Sequence, residues 1–582
     1  MSSRPVVNSW NDYIIRGTNS AADDTEFAKA VAAMNVRGKG NIVFDGPVKI
    51  TSFHQILKPI GLVGLPGSTV VMSGANAAIV YGAVTAPWDL PSQACTDIPA
   101  MSGSGYGTSY LESPNLSLSP GDHVVVYGRN VLTGVSPHNP DTKYLPMEVH
   151  RVSRSILGAA SQYVLGDYFD DPISSVTWTV GQTTKTLYTA RVAKFAAIKG
   201  VRVRGLTITH DPGTVVSGIN LMFRYCSDVV VEDCTFLYPN GGSMSFFICH
   251  GVRVLGCRIE DAENTNISLV GDATNNVVYG VVTAVTNDFQ MISCVTNGVR
   301  HGFTTGGFDY QVPWAANQDI VTGEYRRSGA YSYEATTTGT TTTTAPTFVP
   351  QPGDPLTQTV GGITWKYVGT NGIYRWGTVK NALVSACEFR SNGYQDLPSP
   401  YTWHGNAQCD THTEGRRITF EGNTFTVPGE CNNIGVVIRN RGCIVRNNTF
   451  NCNKFGIPIW VSGPDAVIEG NTFNGGYTSY VSTQLVFSGN VDRAKFLRNT
   501  FVDQWGPGIQ IESGTGHQIR DNSFINCCWG YTSARPLKTC VHVESLATAS
   551  STVSVTGNYM PKSTGLTTYP NDYSLTWGST VS

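Results

Sequence analysis

Two short stretches concentrate the residues best able to do chemistry. Asp410, His412 and Glu414 alternate within C-D-T-H-T-E, and Arg300 and His301 stand side by side in N-G-V-R-H-G-F-T-T-G-G-F-D-Y. In an extended strand, alternate residues share one face at steps of about 7 Å. Carboxyl groups displayed in this way can serve as general acid and base. A histidine beside an arginine can instead take a proton while the guanidinium neutralises an anion. Alternate Asp and His could also hold a metal, with His404 or His301 as third ligand, but no second tight spacing supports this, and no metal or cofactor is expected. The plainer alternative is a hydrogen-bonded network in which Asp410 and His412 brace the backbone. No G-x-S-x-G elbow supports a serine triad, and the G-G-F stretches are turns rather than phosphate loops, because no helix follows them.

The elements that must position these residues are announced by a recurring phrase. It reads G-N-T-F at Phe425, N-N-T-F at Phe450, G-N-T-F at Phe473, R-N-T-F at Phe501 and D-N-S-F at Phe524. Upstream it continues as D-C-T-F at Phe236, G-C-R-I at Ile259, S-C-V-T at Thr296 and A-C-E-F at Phe389, bracketed by Ile208 and Met560. A unit recurring every few tens of residues marks a solenoid, in which each repeat buries its apolar face against its neighbours. Its segments are short, alternating and bounded by Gly and Asn, so the unit is strand-like. The expected fold is all-β: a parallel β-helix in which Cys234, Cys257, Cys294 and Cys387, then Asn423, Asn448, Asn471, Asn499, Asn522 and Asn558, stack as a ladder at about 4.8 Å per coil.

This places Arg300–His301 and Asp410–His412 on successive coils once the long interval between Thr296 and Phe389 is discounted as an insertion. The next coil adds Arg439 in V-V-I-R-N-R-G, and Tyr401, Trp403 and His404 form an aromatic loop ahead of Asp410.

Composition fits the same reading. Charged residues are 14 %, Gly numbers 62 and the formal net charge is −2, which disfavours nucleic-acid binding. The fourteen cysteines show no paired spacing and are expected to be buried thiols. Neither a signal-like start nor an apolar run of membrane-spanning length is visible, so a protein that is neither exported by its own signal nor inserted in a membrane is expected.

In chain order, residues 1–50 contain a helix in which Asp24 is the expected cap and Phe27, Val31 and Met34 share a face. Residues 51–195 read as the first coils with a β-rich insertion. There Asp122 and Glu148 are expected to be solvated strand-edge carboxylates without a catalytic role. Residues 196–316 and 373–582 form the two parts of the β-helix. Residues 317–372 form a Thr-rich β module ending in exposed aromatics, whose Tyr333, Trp365 and Tyr367 pack its own small core or contact carbohydrate.

The combination R-H-x-x-T-T-G-G followed one coil later by C-D-T-H resembles bacteriophage tailspikes and capsule or O-antigen depolymerases of the pectate-lyase-like superfamily. The N-terminal helix resembles that superfamily's capping helix, and the insertions resemble phage tail modules. The resemblance spans Asp23 to about Phe524. It implies a right-handed β-helix, a homotrimer and a virion tailspike made in the host cytoplasm. Such a spike would attach to the tail or baseplate through its N-terminus and act on a bacterial surface polysaccharide. A long virion-attachment domain and a large C-terminal trimerisation domain, which such proteins carry, are not seen.

Glycosidic hydrolysis requires two carboxyl groups about 5 Å apart for retention or 6.5–9.5 Å for inversion. Asp410 is the first candidate, with Glu414, Asp309 or Glu388 as partner. A straight strand would separate Asp410 from Glu414 by about 13 Å, too far for a direct pair. β-Elimination would instead use His301 or His412 as base, Arg300 or Arg439 against the uronate, and Tyr310 or Tyr401 as proton donor. Tyr401, Trp403, His404, Asp309, Tyr310 and Arg439 would then line the substrate. Hydrolysis is favoured because carboxylates accompany the histidines; a binding-only spike would share every feature of the fold.

Overall fold

The structure, a computed structural model, describes residues 12–581 apart from 75, 100–106, 133–141, 157–160, 181–182, 211–218, 238–241, 261–278, 352–353, 371, 391–406, 413, 428–433, 454–455, 482–490, 528–538, 544–551, 560–570 and 576–579. Parallel strands stack into three walls. In the second half the walls repeat as Thr419–Glu421, Thr424–Val427 and Ile434–Ile438, then Ile444–Arg446, Thr449–Cys452 and Ile457–Val461. Each strand pairs with its equivalent one coil on, so the phrase residues stay in register: Phe389 with Phe425, Phe450, Phe473, Phe501 and Phe524. Their rings stack at centroid distances of 4.6–5.0 Å in the dry interior. Each buried ring contributes about 1.5–3 kcal/mol over an exposed one.

The corner between the first and second walls explains the phrase. From Arg204 onward it is two residues long. The first of them is left-handed in every coil, as at Asp233, Gly256, Ser293, Ala386, Gly422, Asn447, Gly470, Arg498 and Asp521. The second points inward as the ladder residue. Asn448 and Asn471 illustrate the ladder: Asn471 Oδ1 accepts the Asn448 backbone N–H and Nδ2–H at 2.9 Å each. Asn471 Nδ2 in turn donates to Val445 O at 2.8 Å and to Asn499 Oδ1 at 3.0 Å. The amides thus satisfy the corner backbone that burial would otherwise leave unpaired. Where Cys replaces Asn, the thiols sit against main-chain carbonyls instead, and the twelve described cysteines are free.

The helix Ala21–Arg37 packs Phe27, Ala30, Val31 and Met34 onto the first coil. Its cap differs from expectation. Ser20 is the N-cap and Asp23 closes the capping box. Asp24 reaches across to Thr51, Ser52 and His54, the last at 2.7 Å.

Both insertions leave the helix at one corner, between the third and first walls. The first runs from Tyr81 to Ile198 and the second from Gly306 to Val379, so the second is longer than 317–372. They join: Thr142–Leu145 of the first pairs in parallel with Ile373–Trp376 of the second, which pairs in turn with Phe308–Tyr310. A common core of Val125, Leu145, Met147, Tyr374 and Trp376 rests on Tyr225, Ile248 and Val285 of the corner. Those three corner residues have φ of 54°, 56° and 48°, a strained backbone for a bulky tyrosine and two β-branched side chains, held by the mass packed over it.

A buried ionic lock fastens the first insertion. Lys380 Nζ lies 2.7 Å from Glu148 and 2.9 Å from Asp167, while His150 bridges both carboxylates. Arg416 meets Asp171 at 3.1 Å and Arg417 meets Asp170 at 2.7 Å. Glu148 is therefore fully buried rather than a solvated edge carboxylate. In the second insertion Tyr333 and Trp365 form its own core and are not exposed; Tyr367 packs beside them, half-buried.

Candidate functional site

The third wall carries the chemistry on its outer side. Its core register runs Leu221, Met244, Val281, Phe303, Cys409, Val436, Ile459. At Gly302 a side chain would collide with Phe389 and Thr296 inside the helix, and Phe303 also points inward. Two successive inward positions leave His301 and Thr304 facing out. Thr304 pairs with Asp410 on the next coil, and Arg439 follows directly on the coil after that. The two motifs are thus stacked neighbours, as their spacing implied.

The details differ from a straight alternating strand. The strand Ala407–Asp410 ends at Asp410. His412 is left-handed at φ 38°, and Gly415 N–H bonds to Thr411 O at 2.9 Å, closing a turn. Asp410, His412 and Glu414 therefore surround a turn rather than line a face, and the straight-strand objection to an Asp410–Glu414 pair lapses.

Asp410 is buried at 1 % exposure and gripped at both oxygens by Arg439, Nε to Oδ1 at 2.8 Å and Nη2 to Oδ2 at 2.6 Å. Its Oδ1 also accepts the His412 backbone N–H at 2.8 Å. Burial pushes its pKa up, but Arg439 and the neighbouring histidines more than offset this and hold it well below the usual carboxylate range. Arg439, expected to meet substrate, is instead this carboxylate's partner.

His301 is fully buried. Its Nδ1–H donates to Ala407 O, which leaves Nε2 as the lone-pair nitrogen, with no partner. Burial, then Arg300, lower its pKa to about 3. His412 Nε2 lies 3.3 Å from Asp410 Oδ2, its ring meets His301 edge-on at 5.7 Å, and burial lowers it to about 4. Both imidazoles are neutral at neutral pH. Tyr279, which the sequence reading missed, stacks on His301 at 5.5 Å with Arg300 5.9 Å from its ring. Among the described residues Arg300 has no carboxylate partner and its Nε is buried unpaired.

Glu414 is the opposite of Asp410. It is buried at 1 % exposure, both carboxyl oxygens lack hydrogen-bond partners, and burial raises its pKa. The nearest cation is Arg375, 3.9 Å away. Arg375 in turn holds Asp309, which is half exposed, at 2.7 Å and 3.2 Å. Arg375 also escaped the sequence reading. Its signal was the match of F-D-Y to Y-R-W, two charged residues each flanked by aromatics that pair across one ribbon.

Other expected residues lie elsewhere. Glu388 is on the second wall, paired with Arg390 at 2.6 Å, away from this cluster. Tyr310 packs among Trp88 and Trp376 on the far side of the ribbon from Arg375. Tyr401, Trp403 and His404 lie outside the described residues. Ligand atoms of His301, Asp410 and His412 come within 4.8 Å of one another. However, Asp410 already has both oxygens on Arg439, and two guanidiniums flank the group, an environment suited to anions more than to a cation.

This geometry belongs to a right-handed parallel β-helix with a charged outer site. A family model described as right handed beta helix region matches residues 371–560. Among solved structures, the chain is similar to the Gp54 tailspike of Acinetobacter baumannii bacteriophage AP22, solved in complex with A. baumannii capsular saccharide. The identity is 11 %, with 95 % of this chain and 76 % of that chain covered and a TM-score of 0.55. The tailspike protein gp49 from Pseudomonas phage LKA1 matches at 14 % identity, 93 % and 72 % coverage and a TM-score of 0.44. The Streptococcus pneumoniae surface adhesin PfbA matches at 9 %, 92 % and 93 %, with a TM-score of 0.35. No curated protein matches the chain in sequence.

Proposed function

We propose that the chain is a phage tailspike that binds a bacterial surface polysaccharide and cleaves it by endo-glycosidic hydrolysis at the Asp410–Glu414 turn. The observation that carries this reading is the opposite displacement of two carboxyl groups, four residues apart, that flank one turn. Arg439 holds the pKa of Asp410 down, while burial pushes that of Glu414 up. Divergence of this kind assigns acid and base in a glycosidase. Glu414 would protonate the leaving oxygen. Asp410 would orient water or stabilise positive charge at the sugar, with His412 and Arg439 fixing it. Likeness to a tailspike bound to capsular saccharide supports the polymer as substrate. In the same reading the chain works as a homotrimer in the virion, joined to the tail through its N-terminus. Among the described residues no helix is long and apolar enough to cross a membrane.

β-Elimination is the second reading, favoured by the free Nε2 lone pair of His301 and the unpaired Arg300 beside it. Incubation with purified capsule, O-antigen and exopolysaccharide from a host panel separates the two. Oligosaccharides without ultraviolet-absorbing unsaturated ends support hydrolysis. Unsaturated products transfer the chemistry to His301 and Arg300. Binding without products from any glycan that the protein retains would refute both and leave a receptor spike.

A further inference from the structure

A cavity of about 440 Å³ lies where the two insertions meet, away from the Asp410 turn. This is within the ~300–1,000 Å³ range of small-ligand sites. Arg129, Lys143, Tyr310, Glu324, Tyr374 and Trp376 contribute to its wall. Trp376 and Tyr310 stack at 5.2 Å with a 15° interplanar angle, and Trp88 backs both. Trp376 is 1 % exposed, and its indole N–H has no partner. The indole is covered on all sides, so Trp376 backs the cavity wall and half-buried Tyr310 presents the aromatic face.

The charges around the cavity do not cancel. Lys143 is matched by Glu334 at 2.8 Å and sits over the Tyr325 ring at 4.2 Å. Glu324 accepts the Val321 N–H and faces Arg326 at 3.6 Å. Arg129 lies 4.1 Å above the Tyr188 ring and has no carboxylate partner among the described residues. An aromatic wall and one unmatched guanidinium together suit a hydroxylated ring ligand bearing a carboxylate.

We infer that this cavity is a second saccharide site that holds an acidic sugar unit of the polymer. Identification of the ligand as part of that polymer rests on the depolymerase reading above. The placement is mechanical as well as chemical. In the ribbon of Phe308–Tyr310 and Ile373–Trp376, Asp309 pairs with Arg375, Phe308 with Trp376 and Tyr310 with Tyr374. Strand alternation therefore turns Arg375 towards Glu414 and the aromatic residues towards the cavity. A sugar seated on Tyr310 would press on the ribbon that aims Arg375.

The test is saturation-transfer NMR of the full chain with D-glucuronate, D-galacturonate and neutral D-glucose. The uronates are expected to show saturable transfer and glucose roughly tenfold less. Arg129→Gln should weaken uronate binding roughly tenfold, and Arg129→Lys should retain most of it. Tyr310→Ala, which removes the accessible ring face, should weaken it by roughly threefold. No uronate transfer, equal transfer from glucose, or binding indifferent to both Arg129→Gln and Tyr310→Ala overturns the site, whether or not the protein cleaves polymer. Uronate binding that obeys these variants sustains it even if no polymer is cleaved, an outcome that would instead remove the depolymerase reading.

Discussion

Replacing Arg439 with Met tests whether Asp410 is held ionised by its partner. The substitution removes two charge-assisted hydrogen bonds, of 2.6 Å and 2.8 Å, from a carboxylate 1 % exposed. Breaking a buried pair from one side costs about 3–5 kcal/mol, and loss of the cation moves the pKa of the remaining carboxyl upward. In the parent chain the folded pKa is depressed, so the stabilisation is complete above the unfolded value of about 3.9 and is lost only as pH falls through the folded value. In the variant, burial acts without Arg439 and lifts the folded pKa above 3.9. The cost is then full at neutral pH and fades on acidification. Hydrogen exchange read by mass spectrometry over peptides spanning 407–416 and 434–442 should show protection falling roughly 10²- to 10⁴-fold at pH 7.5. The deficit should shrink by a few-fold at pH 4.5. A loss below about tenfold at both pH values, or one independent of pH, would refute the account of Asp410.

Glu414→Gln should cut glycan hydrolysis by roughly 10²–10⁴-fold while leaving retention of the polymer on the protein intact, measured by affinity electrophoresis beside product release. Because Glu414 must be protonated and burial raises its pKa, parent activity should decline as pH rises through that raised value; an activity plateau extending to alkaline pH would contradict the assignment. Asn471→Ala removes four ladder hydrogen bonds and should cost roughly 2–6 kcal/mol, visible as faster amide exchange at Asn448. Asn471→Cys should cost less, since thiols occupy the equivalent position on earlier coils. Lys380→Met leaves Glu148 and Asp167 buried together and should loosen the first insertion by about 3–5 kcal/mol; limited proteolysis confined to residues 82–197 would report it.

The coils were legible because their phrase couples three local demands. These are a left-handed corner, an inward polar or thiol group two residues before an aromatic, and a ring that stacks on its copy. The stacking of His301 over the Asp410 coil followed from that periodicity. What lay hidden was non-local or unsigned. Nothing in Thr411–His412–Thr413 announces a left-handed turn, so alternation was assumed where the chain bends. The partnership of Thr142–Leu145 with Ile373–Trp376 joins strands far apart in sequence, and neither carries a repeat to point at the other. Glu148 looked solvated because its cation, Lys380, arrives from a distant coil. Arg439 read as a substrate contact because a charge after an apolar strand has the same appearance whether it meets ligand or carboxylate.

The two-residue corner between the first and second walls has a consequence for how such a protein can diversify. Its length is constant from Arg204 onward, because an added residue would push that coil's ladder residue and ring out of the stack. Length variation falls instead at the two other corners, and those two border the third wall. The wall bearing His301 and Asp410 is thus the one framed on both sides by exchangeable segments, while the remaining two serve as an invariant spine. Loops could be traded between such chains, or designed onto this one, to recognise a different glycan without altering a single ladder residue.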